Sequence, residues 1–300
     1  MDSYTHDTKS WLDQRFKMTD EDRIYFPHQP IFGFRNSHSK PGEVNKYITT
    51  YQIMKALSHL KFTSLLDVGG AEGYQAALVR SIFNVSVRSV DLSWEACKRA
   101  KEIFNIDGES VDIHQLPYND NEFDVVVCSE TLEHVSNIQR ATRELIRVCR
   151  KAVVITVPYD PKEVIENNIR SKEPHAHIHC LDTDSFDFVL PAVSKVISRR
   201  SLTPILRYVT FLASAETGEP WRFPQFQKLY NSSLPLFRLI FGMRLVGMLI
   251  KLDDYIANLI PRYAGMLFTI LKDASCYEAH QEKPVSVPQI IDFKVPYHYL

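Results

Sequence analysis

The sequence predicts an α/β protein with an open, doubly wound sheet, and three observations carry that expectation. Short apolar runs alternate with segments of helical periodicity five times within about a hundred residues, the pattern of strands joined by helical crossovers. The stretch Phe123–Cys128 is apolar almost throughout, as a strand covered on both faces should be. The first run ends in a glycine-rich turn and the second in an acid, Asp91.

The elements follow in order. The first 40 or so residues mix charges and aromatics with Pro27, Pro30 and Pro41 and read as an ordered but irregular lead-in. From Val44, the residues Tyr47, Ile48, Tyr51, Met54, Leu57 and Leu60 recur at spacings of three and four, one face of an amphipathic helix. Ser64–Val68 is a short buried strand, followed by a helix from Gly73 to Phe83. Val85, Val87 and Ser89 lead through a second strand to Asp91, and Ser93 caps a helix with Ala96, Ala100 and Ile103 on one face. A third strand is expected near Val111–His114 and a fourth over Phe123–Cys128. A helix over Asn137–Arg150 precedes a fifth strand, Ala152–Val157, which Pro158 stops. Crossovers between parallel strands are right-handed, and ligands of such sheets bind beyond the carboxyl ends of the strands.

Composition narrows the function. The 300 residues are 45% hydrophobic and 24% charged, ordinary values for a folded globular chain. With 35 basic and 36 acidic side chains the net charge is −1, so no overall field draws in nucleic acid, and no nucleic-acid partner is expected. Five scattered cysteines without a CxxC pair fit free thiols in a reducing, cytoplasmic setting. The polar start MDSYTHDTKSWLDQRF lacks the apolar core of a signal peptide. Leu234–Leu252 is strongly apolar but contains Arg238, Arg244 and Lys251, which argues against a spanning helix and leaves an interfacial one open.

The chemistry gathers at the strand ends. The turn Asp67-Val68-Gly69-Gly70-Ala71-Glu72-Gly73-Tyr74 lets backbone approach a ligand, and the next helix offers free N–H groups. Asp91, 24 positions after Asp67, is placed to accept both hydroxyls of a ribose, although capping the next helix is an equal alternative. A dinucleotide fingerprint is disfavoured, because Ala71 and Tyr74 fall where its second and third glycines belong.

With these residues in place, LLDVGGAEGY resembles motif I of the class I S-adenosylmethionine-dependent methyltransferases. LPYNDNEFDVVVCSETLEHV, residues 116–135, resembles the stretch around their fourth strand, especially in the type 11 subgroup. The resemblance covers about residues 62–160. It implies a Rossmann-like, mostly parallel seven-stranded sheet whose last strand is antiparallel, and S-adenosyl-L-methionine as cofactor. It also implies roles: Asp67, Gly69, Gly70, Ala71 and Gly73 around the methionine part, Asp91 on the ribose with Leu92 beside the adenine. Asp112, four before Leu116, would accept from the adenine amino group beside Ile113. Ser129 and Glu130 would line the space between cofactor and acceptor. Ala71 departs from the family, standing where glycine is commonest.

The implied reaction is methyl transfer to a small-molecule acceptor, with O-methylation slightly ahead of N- or C-methylation. A hydroxyl acceptor needs a base. Glu130, Glu133 and His134 share a helical face, but Glu133-His134 belongs to the family-like signature, which favours a structural or cofactor-proximal role. His175, His177 and His179 alternate, so in an extended strand their imidazoles would converge. Surface histidines are the leading reading of that trio. A substrate-side base, His177 or His179, comes next; zinc binding comes last, and no metal is assigned.

Ala264–Lys272 reads as the last sheet strand, with its antiparallel partner within Lys195–Phe211. The organisation is then an N-terminal extension and helix (1–60), a cofactor-binding core (61–213), a helical insertion (214–262), the last strand (263–273) and a tail (274–300). The insertion, containing 234–252, would serve as a packed helical layer, an acceptor lid, a homodimer surface or a peripheral membrane contact. A lipid, glycan precursor or other metabolite all remain open as acceptor. The rival reading is a catalytically inactive binding or assembly module, which would have no reason to keep Asp67, Asp91 and Asp112 together.

Overall fold

A computed structural model describes residues 2–18, 29–31, 43–203, 244, 246–279, 281 and 283–293. Within them, seven strands form one sheet in the order β3-β2-β1-β4-β5-β7-β6. The strands are β1 (Ser64–Val68), β2 (Ser86–Asp91), β3 (Gly108–Ser110), β4 (Phe123–Ser129), β5 (Cys149–Pro158), β6 (Lys195–Ser201) and β7 (Gly265–Leu271). The first five run parallel, and β7 is antiparallel to both β5 and β6. The sheet and the antiparallel last strand are those expected from the sequence.

Strand residues alternate between two apolar layers, the consequence of the two-residue period of a pleated strand. Leu65, Val125, Val127 and Val154 join one layer, while Leu66, Val126, Cys128, Val153 and Ile155 join the other. A strand packed on both faces buries nearly every side chain, which is why Val125–Cys128 and Ala152–Ile155 read as apolar runs.

The helices are α1 (Ser3–Arg15), α2 (Glu43–Leu57), α3 (Tyr74–Phe83), α4 (Trp94–Phe104), α5 (Ile138–Val148) and α6 (Lys162–Ser171). They are followed by α7, residues 246–256, and α8 (Val287–Ile291). The first layer is built with α2, α3, α7 and α8, through Tyr47, Ile48, Met54, Leu78, Leu249 and Ile290. On the opposite face α5 buries Ala141, Leu145 and Val148, and Phe186 packs edge-on against Phe268. Side-chain caps start α1, α4 and α5: Asp2, Ser93 and Asn137 accept from the N–H groups of Thr5, Ala96 and Arg140.

Four expectations are corrected. The lead-in holds a 13-residue helix, α1, rather than irregular chain. The third strand is Gly108–Ser110, and residues 111–114 are the loop beyond it. The helix after β4 ends at Val148, because Cys149 already pairs with Phe123. The segment holding the three histidines is not a strand: His175 has φ +58°, a left-handed turn that breaks the alternation.

Most of the expected insertion, residues 214–243 and 245, lies outside the described residues, as does 294–300 of the tail. Its described part, α7, packs Val246, Leu249 and Ile250 into the core and leaves Met248, Leu252 and Tyr255 exposed. Asp253 on α7 accepts from the N–H groups of Leu202 and Thr203, holding the end of β6. Among the described residues no helix is long and apolar enough to cross a membrane.

Candidate active site

The strand order reverses between β1 and β4, so their carboxyl ends open a crevice, and a cavity lies there. It has a volume of about 430 Å³, within the roughly 300–1,000 Å³ of small-molecule sites. Each parallel strand from β1 to β4 contributes residues at or just past its end: Gly69 and Ala71, Asp91 and Leu92, Asp112 and Ile113, Ser129 and Glu130.

The turn after β1 is held by its backbone. Gly69 and Gly70 donate to the Val90 carbonyl, at 2.8 and 3.0 Å, and Gly73 closes the turn on Gly70 at 2.8 Å. Gly69 has φ +73°, and a Cβ there would lie 2.2 Å from Thr131 Oγ1, so conformation and space both require glycine. Ala71 also lies in the left-handed region, at φ +47°. The Ala71 N–H donates to Asp91 Oδ2 over 3.0 Å, and the Ser93 N–H donates to Asp91 Oδ1 over 2.8 Å. Asp91 thus braces both the turn and the start of α4 while still facing the cavity.

Asp67, Gly70 and Gly73 belong to this turn but lie behind it rather than on the cavity wall. Burial raises the Asp67 carboxyl to about 7, the Ala76 N–H at the start of α3 lowers it in part, and the Asp91 charge adds to the rise. Burial likewise raises Asp91 to about 6, against the pull of the Ser93 and Ala71 N–H groups. Asp112 Oδ1 accepts from both the His114 N–H and the His114 ring, the latter at 2.6 Å.

The far wall is one the sequence did not announce. Tyr4, Thr5, Thr8, Leu12 and Phe16, on α1 and just after it, cover the cavity. Lys9 Nζ docks the helix by donating to the Leu92 carbonyl at 2.8 Å and to Ser110 Oγ at 3.0 Å. Tyr4 Oη donates to the Ala176 carbonyl, and Trp11 stacks on His175 with centroids 5.1 Å apart. The spacing of Tyr4, Thr8 and Leu12 by four is a signal that could have found this face.

Of the three base candidates, Glu130 lines the cavity and His177 and His179 do not. Glu130 has φ +50° and opens onto the cavity, yet surrounding protein raises its carboxyl, an effect that Thr156 and His177 partly oppose. His177 Nδ1 donates to Asp160 Oδ2 at 2.5 Å, and His179 Nε2 donates to the Val135 carbonyl at 2.6 Å. His134 and His175 do reach the cavity wall and stack on each other, centroids 3.7 Å apart. Burial holds the His134 imidazole well below its usual range, so it is neutral.

The wall suits a nucleoside-bearing cofactor. Gln75 Oε1 lies on it, buried and without a hydrogen-bond partner, so it has an acceptor to offer a ligand. Glycine backbone, apolar Leu92 and Ile113, and the carboxylates of Asp91 and Asp112 surround the same space.

Residues 66–157 match the model of the type 11 methyltransferase domain. Norajmaline N-methyltransferase of Rauvolfia serpentina is 32% identical over 101 residues, 31% of this chain and 35% of that enzyme, so the match spans about a third of its length. An uncharacterised protein of Methanocaldococcus jannaschii is 28% identical over 170 residues, 52% of this chain and 72% of that one. Geranyl diphosphate C-methyltransferase of Streptomyces coelicolor A3(2), solved with Mg2+, geranyl diphosphate and S-adenosyl-L-homocysteine, shares the fold at a TM-score of 0.53. That likeness covers 90% of this chain and 98% of the other at 14% identity.

Proposed function

We propose that this chain, which carries a class I S-adenosylmethionine-dependent methyltransferase domain of the type 11 group, transfers a methyl group to a hydroxyl of a small-molecule acceptor. The observation that supports it most is the cavity at the switch point, walled by the ends of four successive strands.

In this reading the cofactor supplies a methyl group already activated on a sulfonium. The chain's own residues align and shield the reactants. Asp91 accepts from the ribose hydroxyls, Asp112 accepts from the adenine amino group, and Leu92 and Ile113 flank the adenine. Gly69 and Ala71 present backbone to the methionine portion, beside Gln75. Tyr4, Leu12 and Phe16 exclude water from above, strengthening every polar contact inside. Glu130 takes the proton of the acceptor hydroxyl, since it faces the cavity with a carboxyl raised toward the working range of a base. His177 and His179 are already turned toward Asp160 and the Val135 carbonyl.

Calorimetric titration with S-adenosylmethionine and S-adenosylhomocysteine tests the cofactor, with micromolar binding of both expected. Release of S-adenosylhomocysteine across a panel of phenols, alcohols and amines tests the acceptor. Turnover confined to amines would overturn the O-methylation reading, and no binding of either nucleoside by folded protein would overturn the whole.

A further inference from the structure

Beside the cavity, three ligand-bearing side chains converge in a way the methyl-transfer reading does not use. Glu133, His134 and His177 each bring one ligand atom to within 4.8 Å of the others. Glu133 is 1% exposed, and its Oε2 has no hydrogen-bond partner. A buried carboxylate oxygen left without a partner is costly, and a cation is one of the few things that satisfies it.

The two imidazoles are oriented for the same purpose. His134 Nδ1 donates to the Ala176 carbonyl at 3.2 Å, which leaves Nε2 with its lone pair, 3.7 Å from Glu133 Oε1. His177 Nδ1 donates to the Asp160 carboxylate, which leaves its Nε2 free in the same sense. An imidazole whose far N–H is held by a carbonyl or carboxylate is the usual arrangement around a bound metal, because the partner sets the tautomer and sharpens the donor. The rings meet edge to face, centroids 4.7 Å apart at 66°, and His175 stacks on His134.

We propose that Glu133, His134 and His177 form a binding site for one divalent transition-metal ion. Two imidazoles and one carboxylate suit Zn2+ best, with a fourth position left open as in catalytic zinc sites. His134 is on the cavity wall, so the site adjoins the cavity. Occupation of the open position by an acceptor oxygen rests on the reading of the cavity given above; the metal site itself does not.

The site is read directly by metal binding. Full-length protein stripped with a chelator is titrated with Zn2+ by calorimetry, and with Co2+ while the visible absorption of the bound ion is followed. One equivalent per chain is expected, with a Co2+ band showing nitrogen and oxygen ligands and no thiolate charge transfer. The His177 side chain is 34% accessible, so His177→Gln keeps the fold and should weaken binding at least tenfold. Asp160→Asn, which touches no metal, should weaken it by about 10–100-fold through the His177 ring. Cys180→Ser, changing a nearby exposed thiol, should leave binding as it was. No stoichiometric uptake by folded protein overturns the site, as does uptake that survives His177→Gln or is lost with Cys180→Ser. Titration of the same samples with S-adenosylhomocysteine separates this outcome from failure of the methyltransferase reading.

Discussion

The backbone N–H of Ala71 donates to the Asp91 carboxylate over 3.0 Å, tying the turn after β1 to the end of β2. The other Asp91 oxygen accepts from Ser93. Replacing Asp91 by Ala leaves two buried N–H donors unpaired and takes a carboxylate from the cavity wall. The loss should be about 1–3 kcal/mol in cofactor binding, roughly 5- to 150-fold. Calorimetry with S-adenosylhomocysteine measures it, and unchanged affinity would remove Asp91 from the site.

Ala71 occupies the left-handed region at φ +47°, where a Cβ crowds the carbonyl at a cost of about 1–2 kcal/mol. Glycine relieves that strain but gains freedom in the unfolded chain, so Ala71→Gly should stabilise by a net of about 0.5–1 kcal/mol. A rise of a few degrees in thermal midpoint, with cofactor affinity kept or improved, is the expected result. A fall would mean that the methyl group packs usefully.

These two residues also show what the sequence could and could not convey. Asp91 is legible because it ends a strand buried on its later half, and Val125–Cys128 because each residue packs into one of two apolar layers. The strand Gly108–Ser110 is not, since a three-residue edge strand with polar, half-exposed side chains carries no hydrophobic period. Helix α1 hides for a related reason: of the three residues it buries, Thr5, Thr8 and Leu12, two are polar. The convergence of His134 and His177 is a tertiary event across 43 positions, invisible to local spacing, and His175 breaks the alternation that had suggested another trio.

Folding holds protons on the buried acids of β1 and β2. Asp67 is raised to about 7 and Asp91 to about 6, whereas a carboxyl in the unfolded chain titrates near ~4. Between about pH 4 and about pH 7 the folded state therefore binds more protons, and stability falls as pH rises through that window. The loss is on the order of several kcal/mol. Asp67→Asn cannot ionise and should flatten the decline, which thermal midpoints at about pH 5 and about pH 8 would reveal. An unchanged slope would place the cause elsewhere.

Helix α1 closes the cavity through Lys9, whose ammonium bridges the Leu92 carbonyl, Ser110 Oγ and, at 3.5 Å, Asp13. Lys9→Met keeps the length of the side chain and removes its donors. The Leu92 carbonyl retains a bond from Ser110 Oγ at 2.7 Å, so nothing is left buried and unpaired, and global stability should change by under about 1 kcal/mol. What changes is the docking of the helix. Amide exchange over residues 3–15 should speed up, and cofactor affinity should fall several-fold because the wall opens to water. Faster exchange with unchanged affinity would show that α1 covers the cavity without contributing to the site.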